Sequence, residues 1–138
     1  MLILVDTGPL IAYLDRSDSE HAFVRQRWDM PGRFVTTGAV LTEAMHFLGP
    51  LRGGPKRLLE FLRAANLQVL DVFSPGMLNR AAALMEQYAD IPMDFADATL
   101  VAAAEKLQIA AIVTLDERGF RVFRYSRGKS FRLLLQDG

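Results

Sequence analysis

Apolar positions along the chain follow two different periods. The unbroken runs 2-LILV-5 and 110-AAIVTL-115 have the length and density of strands covered on both faces. The stretches 34-FVTT-37 and 67-LQVLDV-72 are shorter or interrupted versions of the same pattern. Between them the period lengthens to that of helices. Gly8 and Pro9 open a helix to about Tyr13 or Leu14, with Pro9 suited to the first helical position. A second helix, 19-SEHAFVRQRWD-29, stops at Pro31-Gly32, and 38-GAVLTEAMHFLG-49 stops at Gly49-Pro50. Another, 55-PKRLLEFLRAA-65, starts after Gly53-Gly54, and Asn66 is a left-handed stop behind it. Ser74 and Pro75 open a helix with Leu78, Ala81, Ala82, Met85 and Tyr88 on one stripe. The helix 93-MDFADATLVAAAEKL-107 follows, and 120-FRVFRY-125 and 131-FRLLL-135 read as two short strands near an edge.

Strands alternating with helices predict a mostly parallel sheet covered on both faces, a three-layer α/β/α architecture. Over 138 residues, without internal repeat, linker or low-complexity segment, this is one domain, 1–138. The opening 1-MLILVDTGPL-10 has no basic leader and meets an aspartate at position 6, so neither a signal peptide nor a membrane span is expected. The expected location is the cytoplasm.

Composition then narrows the chemistry. With sixteen residues of each charge sign, bulk charge does not hold the chain to nucleic acid, although bound cations or a local basic patch would serve. The absence of cysteine excludes disulfides, zinc–thiolate sites and thiol nucleophiles. Two distant histidines, His21 and His46, make a poor zinc site.

The acids carry the remaining chemistry. Two buried strands end alike, 2-LILV-5 at Asp6 and 110-AAIVTL-115 at Asp116, and open α/β sheets place sites beyond such carboxyl ends. Asp94 and Asp97 share one face in the first turn of their helix, provided the connection brings that turn to the same edge. Glu43 borders the apolar stripe of Val40, Leu41, Ala44, Phe47 and Leu48. Each acid also has an ordinary reading. Asp94 and Asp97 make a short capping box, Asp6 caps the helix of Pro9, Glu43 is a solvated border residue, and Asp116 belongs to a turn. If Asp6, Glu43, Asp97 and Asp116 converge, each like-charged pair at ~4 Å costs roughly 1 kcal/mol in water and more in a dry cleft. Raised pKa values or divalent cations relieve that repulsion, and all-oxygen ligands favour Mg²⁺ or Mn²⁺. Such clusters hydrolyse phosphodiesters. Thr7 and Thr114, each beside or near a strand-end aspartate, are placed to orient a carboxylate or a water.

Four stretches, 3-ILVDTGPLIAYLD-15, 36-TTGAVLTEAMHFLG-49, 92-PMDFADATLVAAAEKL-107 and 113-VTLDERGF-120, together resemble a PIN domain, specifically the VapC-type toxins of prokaryotic toxin–antitoxin pairs. The resemblance implies parallel strands between helices and an Mg²⁺- or Mn²⁺-dependent endoribonuclease acting on RNA. It implies ligands at Asp6, Glu43, Asp97 and Asp116, with Asp94 matching an acid found in part of the family. It also implies a small antitoxin as partner and a homodimer. Where many relatives carry a further aspartate before the phenylalanine, this chain has Gly119 before Phe120.

Two other classes compete. A PIN-like RNA-binding or scaffold protein with weakened turnover is favoured only by Gly119. A receiver-type phosphoacceptor also gathers strand-end aspartates, but needs a lysine after a late strand, where this chain has Thr114 leading to Asp116. The basic C-terminal segment, with Arg121, Arg124, Arg127 and Lys129, reads either as an edge-protecting surface or as a contact for RNA or a partner.

Overall fold

Leu2–Val5 forms β1, the central strand of a five-stranded, all-parallel sheet, in a computed structural model that describes residues 1–137. On one side lie β2 (Arg33–Thr37) and then β3 (Gln68–Leu70); on the other lie β4 (Ala111–Val113) and then β7 (Arg132–Leu133). Ile3 stands opposite Phe34 on one neighbour and Ala111 on the other. Parallel neighbours need crossovers, and here these are helical. The helices α1 (Thr7–Leu14) and α2 (His21–Arg27) lead to β2. Next, α3 (Gly38–Leu48) and α4 (Gly54–Ala64) lead to β3, and α5 (Pro75–Gln87) and α6 (Phe95–Leu107) to β4.

Successive strand residues feed two cores. Ile3, Ala111 and Val113 pack with Ala12 and Val24 on one face, whereas Leu4 and Ile112 pack with the α3–α6 layer on the other. The α/β/α reading therefore holds. Asn66 sits at a φ of 49° and stops α4 as the sequence predicts. Tyr13 and Trp28 pack edge-on at 5.4 Å, with Phe61 against both. No helix among the described residues is long and apolar enough to cross a membrane.

Five local expectations are corrected. Helix α1 begins at Thr7, so Pro9 is its third residue; its missing N–H is one of the unpaired first-turn donors in any case. The buried stripe of α5 runs through Ala81 and Leu84, with Met77 and Tyr88 beside it, while Leu78 and Ala82 face outward. On α3, Phe47 is 55% exposed instead of packed. The segment predicted as a strand over 120–125 divides into the end of a one-turn helix α7 (Glu117–Phe120) and a two-residue strand β5 (Arg124–Tyr125). β5 pairs antiparallel with β6 (Lys129–Ser130), outside the main sheet. The second predicted strand supplies β7 and then turns into α8 (Leu134–Asp137).

Candidate active site

A helix that returns the chain to a parallel strand runs opposite to that strand. Its first turn therefore lies at the strand's carboxyl end. Helix α6 feeds β4, so Asp94 and Asp97 arrive at the edge where β1 ends in Asp6 and β4 ends in Thr114. The sheet order reverses between β1 and β4, so this edge is a topological switch point. The charges of Asp94 and Asp116 act on Asp6, and those of Asp6, Asp94 and Asp116 act on Asp97. Four acids from three parts of the chain thus share one electrostatic environment.

Hydrogen bonds fix their orientation. Asp6 is 7% exposed; its Oδ1 accepts from the Thr7 N–H at 2.8 Å, and its Oδ2 accepts from the Thr114 hydroxyl at 2.8 Å. The Thr114 oxygen in turn accepts from the Asp116 N–H at 2.9 Å. Asp116 caps α7, accepting from the Gly119 N–H at 3.0 Å. Asp94 and Asp97 form a capping box: Asp94 Oδ1 accepts from the Asp97 N–H at 2.7 Å, and Asp97 Oδ2 from the Asp94 N–H at 3.2 Å. The ordinary capping readings are therefore correct, and the capped acids lie along the same sheet edge.

Three buried threonines support this edge without having been singled out by the sequence. Thr36 donates to the Val5 carbonyl at 2.7 Å, tying β2 to β1 just before Asp6. Thr37 caps α3 and meets Thr99 of α6 at 2.9 Å. Because Thr99 donates to the Ala96 carbonyl, Thr37 is the donor in that pair. The only sequence signal was a polar Thr-Thr pair closing an apolar strand.

Burial, opposed by the bonds from Thr114 and Thr7, raises the Asp6 carboxyl to about 6, and the charges of Asp94 and Asp116 push in the same direction. Burial together with the charges of Asp6 and Asp94 pushes Asp97 up to about 8. The acids do not all ionise freely near neutral pH. The Thr7 hydroxyl, 4% exposed, has no hydrogen-bond partner among the described residues.

Glu43 stands half-buried on α3 and shares with Asp94 the wall of an open groove of about 590 Å³. In kind, the oxygen donors suit a hard divalent ion, and the raised carboxyls and unpaired Thr7 hydroxyl are consistent with one. Among the described residues, however, no three His, Cys, Asp or Glu side chains are grouped closely enough to hold a metal ion. Asp94, Asp97 and Asp116 are instead turned toward backbone N–H groups.

The basic residues are held locally or lie at the other end of α6. Arg121 pairs with Glu117 and Asp137, both at 2.8 Å, and Arg124 donates to the carbonyls of Arg121, Val122 and Phe123. Ser126, beside Arg127, accepts from Gln108 at the far end of α6, so the hairpin that carries Arg127 and Lys129 lies about 20 Å along the 13-residue helix from its acids.

The family described as "PIN domain" matches residues 3–124. Ribonuclease VapC26 of Mycobacterium tuberculosis is 27% identical over 134 residues, covering 96% of this chain and 99% of the relative. The crystal structure of Mycobacterium tuberculosis VapC20, described as a sarcin–ricin loop cleaving toxin, superposes with a TM-score of 0.76 at 20% identity, covering 90% of this chain and 98% of that one.

Proposed function

Because the chain belongs to the PIN-domain family, we propose that it is a divalent-metal-dependent endoribonuclease, the toxin of a toxin–antitoxin pair acting in the cytoplasm. The observation that carries this reading is the meeting of Asp6, Asp94, Asp97 and Asp116 at one sheet edge, with Asp6 and Asp97 raised toward or above neutral pH. Asp6, Glu43, Asp97 and Asp116 would hold Mg²⁺ or Mn²⁺, with Asp94 as an auxiliary acid. Bound there, the ion supplies charge neutralisation for a phosphodiester and a more acidic water. Asp6 is the fixed member, since Thr114 and the Thr7 N–H hold both of its oxygens. The buried Thr7 hydroxyl beside it has no partner among the described residues. Glu43, Asp97 and Asp116 would reach such an ion only with their carboxylates turned from solvent or from their caps.

The substrate we favour is a single-stranded loop of a folded RNA, where unstacked bases are open to readout. The partner is a small antitoxin, and the toxin pairs as a homodimer. A second reading, an RNA-binding PIN protein with weakened turnover, is favoured by Gly119 and by the capped state of Asp116. The deciding experiment incubates the protein with a pool of RNA hairpins carrying randomised loops, with Mg²⁺, Mn²⁺ or EDTA, and sequences the products. Metal-dependent cuts that vanish in Asp97→Asn are the expected result. Binding of the pool without cleavage in either metal would establish the second reading.

A further inference from the structure

We propose that the groove beside the acids is a stacking site for an unpaired nucleobase next to the scissile phosphate; this rests on the nuclease reading above. The groove holds about 590 Å³, within the ~300–1,000 Å³ typical of small-molecule sites. That is ample for one nucleoside. Its floor is aromatic. Phe95 is the first residue of α6, between Asp94 and Asp97, so one helical turn presents both an aromatic ring and two of the acids. Phe73 lies 6.4 Å from it, centroid to centroid, with the planes tilted by 32°. The ring of Phe73 rests over Gly38, where a Cβ would come within 2.8 Å of its Cε2. Phe73 is 50% exposed and Phe47 55% exposed. Neither is core packing.

The occupant follows from what the groove adjoins. Asp94 belongs to both the groove and the acid edge, and Glu43 also lines the groove. A ligand seated here must join a flat, uncharged, polarisable group directly to one that brings cations against carboxylates. A nucleotide does this, with its base on the rings and its phosphate at the acids. Base stacking on aromatic faces tolerates any sequence, and polar groups at the base edge add preference. Thr42 supplies such a group: its hydrogen is donated to the Gly38 carbonyl at 2.8 Å, which leaves its lone pairs as acceptors, and exposed His46 stands beside it. A peptide's apolar side chain would suit the floor as well, but it would have to carry its own cation to the acid wall.

The test compares wild type with Phe73→Leu and Phe47→Leu on the randomised-loop hairpin pool in Mn²⁺. Leucine keeps the apolar surface and removes the flat ring, and thermal melts should match wild type because both phenylalanines are half-exposed. Phe73→Leu is expected to raise KM on the order of ten-fold, leave kcat within about two-fold, and flatten the base preference beside the cut. An abasic site at that position should penalise wild type by a similar factor and the variant little further. Wild-type KM and base preference in both leucine variants would overturn the stacking site and leave the nuclease intact. Leucine variants that handle RNA normally but lose a co-expressed protein partner would reassign the groove to that partner. Failure of wild type to cut any member in Mg²⁺ or Mn²⁺ would remove the nuclease reading, and the stacking site with it.

Discussion

The Thr114 hydroxyl donates to Asp6 Oδ2 at 2.8 Å while its oxygen accepts the Asp116 N–H at 2.9 Å. One side chain therefore links the ends of β1 and β4 and sets the orientation of the most buried acid. Its bond also opposes the burial that raises the Asp6 carboxyl. Thr114→Val keeps the shape and deletes both bonds, which should cost about 1–3 kcal/mol by denaturant unfolding and raise the Asp6 pKa further. Thr114→Ser should restore both. Cleavage is expected to fall by at least about ten-fold in the valine variant, and a fully active Thr114→Val would show that the orientation of Asp6 is set elsewhere.

Asp97→Asn is the cleaner test of the acid cluster. The asparagine carbonyl can still accept from the Asp94 N–H, so the helix start is retained. Removing the charge relieves repulsion from Asp6 and Asp94. The metal-free variant should therefore melt higher than wild type at pH 8, by a stabilisation of about 1 kcal/mol or more, on the order of 4 °C for a domain of this size. Cleavage should be abolished. Asp6→Asn is less benign, because its amide would point an N–H at a Thr114 oxygen that already accepts from Asp116. A large loss of stability in Asp97→Asn would show that the group acts chiefly as a cap.

The pH dependence follows from the same two carboxyls. Both titrate above the ordinary 3.8, so the folded protein retains protons that the unfolded chain has already released. Their contribution to stability is complete below pH 3.8 and is lost as pH rises through about 6 for Asp6 and about 8 for Asp97. Over that window the metal-free melting temperature should show a downward component, diminished in Asp97→Asn. Divalent ions compete with those protons, so Mn²⁺ affinity measured by calorimetry should rise across the same range. A flat wild-type profile in both measurements would contradict the raised values.

Gly119 accounts for how Asp116 is held. A Cβ there would lie 2.4 Å from Asp116 Oδ2 and 3.0 Å from the Phe123 ring. The carboxylate end can swing away, so Gly119→Ala should cost about 1 kcal/mol through the lost cap and free Asp116 to turn toward Asp6. Mn²⁺ affinity is expected to increase, and more so in Gly119→Asp, where an acid is added as well. Weaker Mn²⁺ binding in both variants would mean that the capped rotamer is the productive one.

Arg121 should not matter for RNA. Its exposed pairs with Glu117 and Asp137 stitch α7 to α8. Such exposed pairs are screened by solvent and contribute little to stability. Arg121→Ala is expected to lower the melting temperature slightly and leave KM for RNA unchanged, whereas a multi-fold rise in KM would place this surface in the substrate path.

Much of this molecule was written in its hydrophobic periods. Strands buried on both faces show as unbroken apolar runs, so β1 and β4 and the acids beyond them were legible, as was the alternation that makes the sheet parallel. Helix boundaries marked by side-chain chemistry, such as Ser74 and Asn66, were legible too. The tail was not, because strands of two residues carry no period to read. Neither was the exposure of Phe47 and Phe73, since an apolar residue looks the same in sequence whether a neighbour covers it or not.

The sequence by itself determined which acids were available and that they would close strands or open helices, because those preferences are local. Only the tertiary structure decided that α6 begins where β1 ends, that one threonine hydroxyl serves two aspartates, and that the basic hairpin sits at the other end of that helix. Distances between residues remote along the chain are set by how layers pack, and no local preference encodes them.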